Sequence, residues 1–143
     1  MLRAENHRGL RTPMPFSLPI HQADWLPFLA AAFTVLIGLA ALFAPRLLLA
    51  VLRLDTAPAH PEAVAEVRGT LAGFWLGTGL VTLLFYDQPF VQMALGAAWA
   101  FTGFGRLASI LSDAGATVPN WLLLALNLLL AAMCLAPVFG YVS

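Results

Sequence analysis

Charged residues cut the chain into four long apolar stretches. No charge lies between Asp24 and Arg46, and residues 25–44 form a continuous Ala-, Leu- and Phe-rich run, about the 20 positions that a 30 Å hydrocarbon layer requires. Arg68 and Asp87 bracket a second run, Asp87 and Arg106 a third, and no charge follows Asp113, so residues 121–139 make a fourth. The second and third clean runs each reach only about 27 Å as helix, so their helices should draw in the flanking residues 64–67 and 107–111. The expected spans are therefore 25–44, 64–86, 89–111 and 119–139. Continuous apolar runs exclude barrel strands, which would alternate. The pattern predicts an all-α integral membrane protein, a bundle of four transmembrane helices.

The connections differ in kind. Asp87, Gln88 and Pro89 leave so little chain between spans two and three that these must form an antiparallel hairpin. After span one, Pro45 is followed by a leucine-rich segment, 46–54, with Arg46 and Arg53 seven apart on one helical face. That reads as a short interfacial helix; the alternative is a kinked extension of span one with both arginines snorkelling. Residues 56–61 break the chain, and Pro61 with Glu62 reads as the first turn leading into span two. Residues 1–24 carry Arg3, Arg8, Arg11, His7 and His21 without an apolar run, neither a signal peptide nor a span. They form a polar tail, expected to be ordered only by a partner protein, and residues 25–143 form the membrane domain. The arginine counts at the two ends are too close for the positive-inside rule to orient the bundle.

Composition closes several functional classes. Of the 143 residues 61% are hydrophobic and 10% charged, against roughly a quarter charged in a soluble domain, so most of the surface must face lipid. Seven acids balance seven arginines and there is no lysine, which removes the basic footprint of nucleic-acid binding. The single Cys134 matches no zinc or haem spacing, and His7, His21 and His60 lie in the tail or a loop, so no metal or cofactor ligand set can be assembled. No nucleophile sits beside a base, and every charge lies at a span end rather than along an intramembrane relay. Neither an enzyme nor an ion-coupled transporter is expected.

The residues that remain point to packing. Gly69, Gly73 and Gly77 give span two a face without side chains, and Gly96, Ala100 and Gly103 give span three another. Small residues let membrane helices approach closely, so these faces are expected to meet within the hairpin. Glu66 and Arg106 continue the two faces to the same membrane surface, which predicts a Glu66 to Arg106 ion pair with Arg68 or Asp113 close by. This polar cluster reads as a clamp on hairpin register or as a pocket for a headgroup. Asp113 and Gly115 read as turn chemistry at the end of span three. Asn127, deep in span four, should hydrogen-bond a neighbouring helix. Trp25 and Trp121 suit an aromatic belt, whereas Trp99 lies near mid-bilayer, available for packing or for stacking on a ring.

With these residues in view, the chain resembles a family of small bacterial four-helix membrane proteins known as a domain of unknown function, distantly similar to DoxX-type proteins. The likeness covers residues 27–139. It rests on Glu66, Val67, Arg68 and Gly69, on Gly73, on Gly105, Arg106, Leu107 and Ser109, and on Asp113, Gly115 and Pro119. It implies the fold, a polar cluster at one end and a bacterial cytoplasmic membrane location, with no activity attached. Two functions fit. One is an accessory or structural subunit packing against other membrane subunits, as in a respiratory or photosynthetic complex. The other is a binding protein for a lipophilic molecule (quinone, pigment or lipid) near Trp75, Trp99 and Asn127.

Overall fold

The computed structural model describes residues 18–54, 62–113 and 115–142. The polar tail, the 56–61 break with His60, and its preceding Asp55 lie outside these residues, apart from the last seven positions before residue 25. Among the described residues five helices follow in order: α1 (Gln22–Phe43), α2 (Pro45–Val51), α3 (Glu62–Leu84), α4 (Pro89–Ser112) and α5 (Val118–Val138). Four of them are long and apolar enough to cross a membrane. The fold is all-helical, as its uninterrupted apolar runs require, because a helix satisfies its backbone internally where no water can.

Prolines and non-helical residues set the joints. Gln88 is extended and Pro89 opens α4, while extended Thr117 precedes α5 with Pro119 in its first turn; in both places the missing N–H falls where no intrahelical bond is needed. Ala44 leaves the helical region at φ −129°, ψ 52°, and Pro45 starts α2 as a separate helix. α2 ends with Arg53 in the left-handed region at φ 57°. The Leu54 N–H donates to the Leu49 carbonyl and the Arg53 N–H to the Ala50 carbonyl, the paired bonds of a helix stop usually built on glycine. A Cβ is disfavoured there by about 1 kcal/mol, so Arg53→Gly should slow amide hydrogen exchange at Leu52 and Leu54; faster exchange would show that the arginine side chain holds the turn. α5 stops the same way with Gly140 at φ 74°.

Helix α1 is the centre of the arrangement. It packs along α3 on one side and touches α5 on the other, and α5 packs along α4. The α1–α3 contact is a reciprocal glycine contact. A Cβ on Gly79 would lie 3.0 Å from the Val35 backbone nitrogen and 3.3 Å from the Ala31 carbonyl oxygen, and one on Gly38 would lie 3.0 Å from the Leu76 nitrogen. On the other side, a Cβ on Gly96 would sit 2.7 Å from Leu135 Cγ. One buried cluster joins Ala30 and Ala31 to Leu95, Trp99, Leu130, Ala131 and Cys134, and a second joins Ala41 and Leu49 to Val67 and Ala72. At the core centre the Trp99 indole N–H donates to Thr34 Oγ1 at 3.1 Å, and Thr34 Oγ1 donates to the Ala30 carbonyl at 2.7 Å.

The α3–α4 hairpin departs from its expected packing. Its short link is pinned to α1, with Tyr86 edge-on to Phe28 at 5.7 Å and the buried Gln92 amide donating to the Tyr86 carbonyl. Beyond this end α3 and α4 make little contact, because α1 takes the close-packing face of α3 and α5 takes that of α4. A Cβ on Gly69, Gly73 or Gly77 would meet nothing within 4 Å. The two small-residue stripes therefore do not face each other.

Candidate functional site

Helix order places Arg46, Arg53, Glu62, Glu66, Arg68, Arg106 and Asp113 at one end of the bundle, where α1 and α4 finish and α3 and α5 begin. Here Gly103 of α4 lies against Leu124, Asn127 and Leu128 of α5, so Arg106, one helical turn later, is delivered to α5 as well. Arg106 Nη1 donates to Asn120 Oδ1 at 3.1 Å, and Asn120 Nδ2 donates to the Gly115 carbonyl at 3.0 Å. With the Asn127 amide assigned so that both its ends are satisfied, its Oδ1 accepts from Arg106 Nε at 3.0 Å and its Nδ2 donates to the Leu123 carbonyl at 3.3 Å. Two asparagines of α5 thus hold the guanidinium. Among the described residues, no buried side-chain nitrogen or oxygen lacks a partner, as a lipid-facing bundle demands.

The expected Glu66 to Arg106 ion pair is replaced by this amide network. Glu66, Arg68 and Asp113 are exposed; Arg106 follows the Gly103 face of α4, but that face lies against α5 and not α3. A second cause lies in α3, where Val67–Leu71 forms a π turn. The wider turn changes the angular offset between Glu66 and the glycines beyond it, so a three-residue spacing no longer means a shared face. Asn120 and Thr34 carry polar contacts that the sequence reading missed. Asn120 could have been found by noting that α5 returns antiparallel to α4, which brings the first turn of one beside the last turn of the other.

Three further features have sites of their own. Trp99 is buried and committed to Thr34, Asn127 to Arg106, and Trp75 packs at the edge of the second core cluster. Ala100 packs against the first cluster. An apolar opening of about 450 Å³ lies between α3 and α4, lined by Gly77, Thr78, Val81, Phe90, Ala94 and Leu95 among others and by none of the tryptophans. Among the described residues, no group of three or more His, Cys, Asp or Glu side chains could hold a metal ion.

A family model described as a domain of unknown function, DUF4345, matches residues 23–137. The chain belongs to this family. Neither a curated protein nor a solved structure matches it. The match takes in all four long helices and both the amide network and the α3–α4 opening. Several of the residues that carry the family resemblance have structural roles: Glu66 precedes the π turn and Val67, Arg68 and Gly69 lie in it, Arg106 enters the amide network, and the Ser109 carbonyl accepts the Gly115 N–H at 3.2 Å. A Cβ on Gly115 would lie 2.8 Å from the Ser109 carbonyl oxygen, which is why the α4–α5 turn carries glycine there.

Proposed function

We propose that this DUF4345 protein is a non-enzymatic accessory subunit that packs laterally against another integral membrane protein, with the outer face of α3 as its docking strip. A single observation carries the reading: Gly38, Gly79, Gly96 and Gly103 are filled by neighbouring helices of the same chain, whereas Gly69, Gly73 and Gly77 stand open. An exposed small-residue ridge offers a partner helix close backbone approach, the main source of helix affinity in lipid. The host in this reading is a bacterial cytoplasmic membrane complex, respiratory or photosynthetic. In mild detergent the protein should co-purify with membrane subunits, and Gly73→Leu should release them while leaving the unfolding temperature of the isolated protein unchanged. Purification without a stable partner, or co-purification indifferent to Gly73→Leu, overturns the proposal.

The apolar opening between α3 and α4 supports a second reading, a binding protein for a lipophilic molecule. Its volume, about 450 Å³, falls in the roughly 300–1,000 Å³ range of small-molecule sites. Solvent extraction and mass spectrometry of the purified protein discriminate: a stoichiometric quinone, pigment or lipid favours this reading, and its absence removes it.

A further inference from the structure

Where α1 turns into α2 the chain forms an open cavity of about 450 Å³. It exists because Ala44 breaks the helix and Pro45 restarts it in a new direction, so the start of α3 packs alongside the bend and leaves space beneath it. Phe43, Pro45, Leu47 and Val64 make its walls apolar, and among the described residues its two charged contributors are both arginines, Arg46 from α2 and Arg68 from the π turn of α3. Among the described residues neither arginine is paired with a carboxylate. Two like charges brought to one cavity by separate elements repel each other unless an anion lies between them. The cavity sits at the level where α1 ends, the boundary between hydrocarbon and water. Its rim is made for the hydrocarbon side: Phe43 is 76% and Leu47 66% exposed.

We propose that this cavity binds the phosphate group of an anionic amphiphile, with the Arg46 and Arg68 guanidiniums donating to its oxygens and the acyl chains lying along Phe43 and Leu47. The chemistry favours phosphate. A guanidinium fork matches paired phosphate oxygens, and a phosphate held between two forks offers each of them acceptors while neutralising the repulsion. Free inorganic phosphate shares the polar half of this recognition and lacks the apolar half. The site is separate from the open glycine ridge of α3, so it stands or falls independently of the subunit role.

The test is a lipid titration of the full-length protein in a neutral maltoside detergent, with occupancy read by native mass spectrometry. Phosphatidylglycerol should bind in preference to phosphatidylcholine, and Arg68→Gln or Arg46→Gln should each weaken phosphatidylglycerol binding roughly fivefold. Arg53→Gln, which removes an equal charge from the same end but lies outside the cavity, should leave binding unchanged. All variants should unfold at the wild-type temperature without added lipid, since the side chains replaced are exposed. A parallel arm with inorganic phosphate distinguishes the sources: failure to displace the lipid supports the amphiphile, and arginine-dependent displacement assigns the cavity to soluble phosphate and overturns the lipid. Equal weakening by Arg53→Gln, or no preference between the two lipids, reduces the effect to general surface charge and overturns the proposal.

Discussion

Trp99→Ala should be the most damaging single substitution in the membrane domain, lowering stability by about 3 kcal/mol or more in a denaturant titration in mixed micelles. The indole is 6% exposed and fills the space where α1, α4 and α5 meet, so truncation leaves a cavity that the surrounding alanines cannot close. Part of the loss belongs to the hydrogen bond. Trp99→Phe keeps most of the volume and should cost only about 1 kcal/mol, the scale of a polar contact between membrane helices. Thr34→Val removes the same bond from the other side, so combining it with Trp99→Phe should add almost nothing. Additive losses would show that Trp99 and Thr34 act separately.

Gly79→Leu should rank next, destabilising by about 2 to 3 kcal/mol. Here the obstacle includes backbone: beside Val35 Cγ2, the Val35 nitrogen and the Ala31 carbonyl oxygen stand directly in the way, and α1 and α3 must separate to admit any larger residue. The comparison with Gly73→Leu makes the result specific. Both glycines lie on α3 in apolar surroundings, yet only one touches its own chain, so a stability loss at position 73 equal to that at position 79 would contradict the arrangement described. The same unfolding measurement reads both variants.

How far the sequence carries can be judged at Arg106 and Gly79. Four helices were legible because the distance between charges is itself a measure of membrane thickness. That Arg106 follows the Gly103 face was legible too, since it depends only on helical periodicity. Which helix lies opposite was not, because a short loop fixes the order and direction of two helices without fixing where each spends its packing face. Glycine spacing misled for the same reason. The regular interval of Gly69, Gly73 and Gly77 drew attention, whereas the contact that joins α1 to α3 uses Gly38 and Gly79, one on each helix, with no internal repeat to notice. The π turn at Val67–Leu71 left no compositional mark, and it is what detaches Glu66 from the face beyond it.

The central place of α1 also bears on how the protein is made. Because α1 precedes α3, α4 and α5 in the chain, it is made before the helices that pack on it, and its one hydroxyl side chain, Thr34, already has an acceptor in its own Ala30 carbonyl. The nascent segment can therefore rest in lipid without an unmet polar group. The same hydroxyl oxygen is the acceptor that the Trp99 indole of α4 meets, so the contact between the two helices uses a group that α1 has already satisfied on its own.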